Sequence, residues 1–136
     1  MNSRPWPALA CAATLLLQGC GTTYSQLVGR RFFTTNMDTH PVLISSVDGT
    51  STLIVPAQVA PGVRRITVQG PPGGAGNSEL ETFTLDVKPC TRYYIVALKV
   101  SPLDSRFTPK VDFEEALAGC RPPALSRTVD RSPHKA

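Results

Sequence analysis

A small antiparallel β-sandwich of about six or seven short strands, with at most one short helical turn near the C-terminus, is the fold this sequence predicts. Turn dipeptides recur at intervals of about ten residues along the middle of the chain. Residues 81–87 alternate strictly, with Phe83, Leu85 and Val87 on one side and Thr82, Thr84 and Asp86 on the other, as a sheet with one wet face requires. The 13 Pro and 10 Gly among 136 residues interrupt the chain too often for a helical bundle.

Taken in chain order, residues 27–35 offer an edge strand through Phe32 and Phe33. Val42, Ile44 and Ser46 alternate with Leu43, Ser45 and Val47 as far as Asp48-Gly49, a pair that accepts the positive φ angles of a tight hairpin. Residues 52–55 form a second short apolar run, ended by Pro56, and Pro61-Gly62 turns the chain into the alternating stretch 63–69. Residues 70–79, GPPGGAGNSE, hold nothing suited to a core and read as a loop. After residues 81–87, Lys88-Pro89-Cys90-Thr91 turns the chain again, because Pro89 has no amide hydrogen to continue a ladder. Residues 92–100 are the most hydrophobic stretch and are expected at the centre of a sheet. Residues 107–113 form a last short strand interrupted by Pro109, and residues 114–118 a helical turn stopped by Gly119. Parallel pairing needs long crossovers, usually helices, so every pairing is expected to be antiparallel.

The first residues form an address. Arg4 is followed by the apolar run ALACAATLLL at residues 8–17 and then by Gln18-Gly19-Cys20. A basic start, a short apolar core and a small residue at the cut are the marks of a secretory signal peptide, here residues 1–19. The cut resembles the lipobox of bacterial lipoproteins, with Leu17 three residues before the cysteine and Gly19 one before. That resemblance implies that Cys20 is the lipidation site, receiving a diacylglycerol and an N-acyl chain such as palmitate. Several acyl chains, at about 0.8 kcal/mol per buried methylene, hold a protein on a bilayer. In such proteins an Asp after the lipidated cysteine retains the chain on the inner membrane. Gly21 stands there instead, which implies outer-membrane attachment facing the periplasm. Residues 20–29 then form the lipidated tether and residues 30–120 the sandwich domain.

Charge separates the remainder. Residues 20–120 hold nine cationic and nine anionic side chains, whereas Arg121, Arg127, Arg131 and Lys135 against Asp130 give residues 121–136 a net +3. A neutral body argues against nucleic acid as a partner. The tail, polar and without periodicity, is expected to be disordered. With Cys20 acylated and Cys11 in the signal peptide, Cys90 and Cys120 remain and read as one disulfide in an exported chain.

The order VLISSVDGT, VAPGVRRITV and ETFTLDVKPCTRYYIVAL is similar to the PEGA-type β-sandwich modules found in uncharacterised bacterial lipoproteins, over residues 42–100. The resemblance implies an exported, displayed, non-enzymatic module, and it brings no catalytic residues with it.

The residues themselves supply little chemistry. His40, beside Pro41, is expected in a solvated loop, and no Gly-x-Ser-x-Gly context activates a serine. Glu114 and Glu115 are adjacent, so on a helical turn they point about 100° apart and make no acid/base pair. The glycines of residues 70–76 lack the Lys-Ser/Thr of a phosphate loop, and Asp104 and Asp112 are isolated. No catalytic residue, cofactor or metal is expected. Two functions stay open: a structural or protein-docking module held on the membrane by its lipid anchor, or a carbohydrate or peptidoglycan binding module. The second needs exposed coplanar aromatics, with Phe32, Phe33, Tyr93, Tyr94 and Phe107 as the candidates.

Overall fold

The computed structural model describes residues 23–30 and 36–122. The stretch read as a signal peptide, Cys20, Phe32, Phe33 and residues 123–136 lie outside them. Among the described residues nine strands occur in order: β1 (Ser25–Val28), β2 (Thr39–Pro41), β3 (Leu43–Val47), β4 (Thr50–Ser51), β5 (Ala57–Val59), β6 (Gly62–Gln69), β7 (Leu80–Val87), β8 (Thr91–Leu98) and β9 (Thr108–Ala116). The class is all-β, with the strands divided between two sheets.

Strand β8 is the axis of the first sheet. Along one edge it pairs with β9, from Thr91 opposite Ala116 to Leu98 opposite Thr108. Its other edge is shared end to end, by β1 beside residues 92–94 and by β2 beside residues 96–98. Strand β5 closes that side against β1. The second sheet runs β4-β3-β6-β7, and β6 and β7 pair over their full length.

The core lies between the sheets. Leu27, Ala57, Val59, Tyr93, Ile95 and Ala97 of the first sheet meet Ile44, Ile66, Val68 and Val87 of the second, with Val42 and Phe107 at its margin. The alternation of residues 81–87 is preserved: Phe83 and Leu85 pack on the core and Thr82, Thr84 and Asp86 face water. Residues 48 and 49 take φ values of 50° and 81°, the geometry expected of Asp-Gly in a hairpin. Tyr94 and Val96, on the opposite pleat from Tyr93 and Ile95, are buried too, as befits a central strand.

Several expectations are corrected. The described residues hold nine strands where six or seven were expected, because three of them have only two or three residues. The pairing of β1 with β8 is parallel, Gln26 opposite Arg92 through Val28 opposite Tyr94. Its crossover runs through the whole second sheet instead of a helix. Strand β1 begins at Ser25, inside the stretch assigned to the tether, and Leu27 on it is fully buried. It ends at Val28, and residues 31–35 of the expected edge strand lie outside the described residues. Glu114, Glu115 and Ala116 belong to β9, not to a helical turn, and Gly119 (φ 78°) stands in the turn that follows the strand. Residues 70–79 are not free of the core: Gly70 is buried against the Phe107 ring, where a Cβ would come within 2.4 Å of it, and Gly74 N–H donates to the Leu103 carbonyl.

Candidate docking edge

Strand β4 has only two residues, Thr50 and Ser51, because the chain must leave the second sheet there and reach the free edge of the first. Thr52 N–H still donates to the Ser45 carbonyl (3.1 Å), and at Ala57 the chain is already opposite Leu27. The apolar run expected as a strand is therefore the crossing itself. Leu53 is 97% exposed, Ile54 69% and Val55 56%. Pro56 comes next, and the strands on either side, β4 and β5, are the free edges of their sheets.

Beneath the crossing lies a cleft of about 290 Å³ lined by Asp48, Thr50, Ser51, Thr52, Gln58 and Arg64, among others. Arg64 does not offer its charge to a ligand there. Its Nη1 donates to Asp48 Oδ2 (3.1 Å), its Nε to the Ala60 carbonyl (3.0 Å) and its Nη2 to the Pro61 carbonyl (2.8 Å). The guanidinium thus ties the β5–β6 turn to the β3–β4 hairpin. Asp48 also accepts the Arg65 backbone N–H on Oδ1 (2.9 Å), and this bond, with the Arg64 contact, holds its carboxyl below the usual carboxylate range. A broader apolar groove of about 530 Å³ runs along Pro41, Val42, Leu43, Pro71 and Pro72, with Arg30 also lining it.

The residues named from the sequence are dispersed. His40 is not in a solvated loop. It sits on β2 opposite Ala97, with Nε2 buried and without a hydrogen-bond partner among the described residues. Strand pairing brings it there, as β2 takes up the free half of the β8 edge. Glu114 and Glu115 both act as ion-pair partners, to Lys88 and to Arg92 (3.1 Å) respectively. Tyr93, Tyr94 and Phe107 are buried, and the Tyr94 and Phe113 rings meet tilted by 42° rather than coplanar. Cys90 and Cys120 stand at disulfide distance, 2.02 Å between sulfurs. Sequence reasoning missed the exposure of Leu53–Val55, although Pro56 directly after so short a run was a signal that no ladder continues there.

Comparison with known protein families, characterised proteins and solved structures gives no match.

Proposed function

We propose that this protein is an envelope lipoprotein, anchored through acylated Cys20 and facing the periplasm from the outer membrane, that serves as a non-catalytic protein-docking module. The anchor rests on the lipobox resemblance at residues 17–20. The docking role rests on one observation, the exposure of three consecutive aliphatic residues, Leu53, Ile54 and Val55, between two free strand edges. Burying side chains of this size contributes about 1.5–3 kcal/mol each, so leaving three in water is a standing driving force for association. Adjacent free edges supply unpaired backbone groups with which an extended partner segment can align.

Two measurements test the two halves separately. In cells fed a clickable palmitate, the wild-type chain is expected to be labelled and Cys20→Ala to lose both label and membrane association; a labelled Cys20→Ala protein removes the anchor. For docking, a photoreactive residue at position 54 is expected to give one discrete envelope adduct, while the same residue at Thr84, exposed on β7, gives none. The triple substitution Leu53→Ser, Ile54→Ser, Val55→Ser should abolish that adduct with thermal stability changed by less than about 0.5 kcal/mol, as expected for exposed side chains. Equal adducts from both positions would count against this edge.

A further inference from the structure

The Cys90–Cys120 bond joins two unlike places. Cys90 lies in the turn between β7 and β8 and is 6% exposed. The backbone around it is held on both sides. Its carbonyl accepts the Leu117 N–H (2.7 Å), while the buried Ser25 hydroxyl donates to the Lys88 carbonyl (2.6 Å) and accepts from the Thr91 N–H (3.0 Å). Cys120 comes after β9, one residue beyond the left-handed Gly119, and is half-buried. Its N–H donates to the Leu117 carbonyl (3.2 Å), and its Sγ makes a packing contact with the Tyr24 carbonyl oxygen (3.8 Å). Arg121 and Pro122 follow it, both exposed.

A cleft of about 290 Å³ is lined by both cysteines together with Pro89, Thr91, Leu117 and Pro122. Glu114 and Glu115 also border it, but their charges are matched by Lys88 and Arg92, and the Arg121 cation stands next to Cys120 in the chain. An anionic nucleophile therefore meets carboxylates that are already neutralised. We propose that the Cys90–Cys120 bond is a site of thiol–disulfide exchange that opens from one side: the thiolate of a dithiol reductant attacks Sγ of Cys120, and Cys90 is the leaving group.

Two effects compete over which sulfur is attacked. Burial disfavours a charged sulfur, which makes Cys90 the poorer leaving thiolate. Substitution at sulfur, however, needs the nucleophile in line with the bond, on the far side of the sulfur it attacks, and a residue as covered as Cys90 leaves a second molecule little room there. The first effect grades the rate and the second excludes the reaction, so access decides. In the first step a bond forms between the reductant's sulfur and Cys120 Sγ, the Cys90–Cys120 bond breaks, and its electron pair leaves on Cys90, which takes up a proton. The reductant's second thiol, once deprotonated, then attacks the first, closing the reductant's own disulfide and releasing Cys120 as a thiolate that is protonated in turn. Two electrons and two protons pass from the reductant to the cysteine pair. Cys90 stays where its backbone partners hold it, and the segment bearing Cys120 is set free.

The test is independent of the anchor and of the docking edge. The full chain carrying Cys11→Ser and Cys20→Ser, oxidised so that its two remaining cysteines are paired, is mixed with a thioredoxin-type reductant whose second cysteine is replaced by serine. Such a reductant stalls at the mixed disulfide. Cys90 and Cys120 fall on separate tryptic peptides, residues 66–92 and 111–127, so mass spectrometry reads the sulfur that was attacked. On the folded chain the adduct at Cys120 is expected to exceed that at Cys90 by about tenfold or more, because reactivity follows access. In urea, with both sulfurs open to solvent, the preference should shrink to within about twofold. Equal adducts on the folded chain, an excess at Cys90, adducts formed only once the chain is unfolded, or the same preference with and without urea would each overturn the proposal.

Discussion

Reducing the Cys90–Cys120 bond is expected to lower unfolding stability by about 3–4 kcal/mol on the chain-entropy model while leaving both sheets in place. The bond closes a separation of 30 residues, and that loop contains β8 and β9, which are already zipped together over the whole length of β8. In the native state the crosslink therefore adds little that the ladder does not hold. Its effect falls on the unfolded chain, which it keeps from expanding. The expected loss is a large share of the about 5–15 kcal/mol that holds a domain of this size together. Urea unfolding with and without reductant measures it: the midpoint should fall and the slope rise, as the reduced unfolded chain exposes more surface. An unchanged midpoint would mean that the unfolded chain is restricted by something other than the disulfide. For a mutant check, Cys90→Ser is cleaner than Cys90→Gly. Cys90 occupies the left-handed region (φ 54°), so glycine there would relieve about 1–2 kcal/mol and mask part of the loss.

What the sequence disclosed was local. The Asp48-Gly49 hairpin, the two-faced pattern of β7 and the central place of β8 each arise from neighbours within one segment, where side-chain period and turn stereochemistry act directly. The pairing of Cys90 with Cys120 was expected from the inventory of cysteines, once the first residues were read as an export signal. What stayed hidden depends on partners far away along the chain. Glu114, Glu115 and Ala116 have good helix propensity, yet Arg92, Lys88 and the Tyr94 hydroxyl all take hold of the two carboxylates from outside, and the β8 ladder outweighs a few tenths of a kcal/mol per residue of local preference. The parallel seat of β1 beside β8 joins residues 66 positions apart, and no period in either segment reports it.

The candidate docking edge was concealed for a related reason. Leu53, Ile54 and Val55 have the composition of a buried strand, and composition was all that the sequence offered. Whether such residues are inside depends on whether the chain has a ladder to join at that point. Here it is between sheets, with Thr52 hydrogen-bonded to one and Ala57 paired in the other, so the run faces outward. Lys99 is the converse: a residue type that is almost never buried without a partner lies inside the opposite end of the sandwich, its Nζ donating to the Pro102 carbonyl (3.4 Å).

Substitution at Tyr93 is expected to separate packing from hydrogen bonding at the point where the two sheets are joined. Tyr93 is 1% exposed, and its hydroxyl accepts the Lys88 N–H (2.8 Å). Ser25 meanwhile donates to the carbonyl of the same residue, so both backbone groups of Lys88 are satisfied by side chains of the first sheet just where β7 of the second sheet ends. Tyr93→Ala removes the ring from a core with no second layer behind it and should cost about 3–5 kcal/mol, enough to unfold much of the population at moderate temperature. Tyr93→Phe keeps the ring and orphans the part-buried Lys88 N–H, a loss of about 1–2 kcal/mol. For a domain of about 100 residues, that loss lowers the thermal midpoint by roughly 4–16 °C. The comparison between the two variants is decisive. If Tyr93→Phe melts with the wild type, the Lys88 amide finds water instead and the hydroxyl does not hold the turn. If Tyr93→Phe falls as far as Tyr93→Ala, the hydrogen bond and not the ring carries the junction, and the packing argument for this core is wrong.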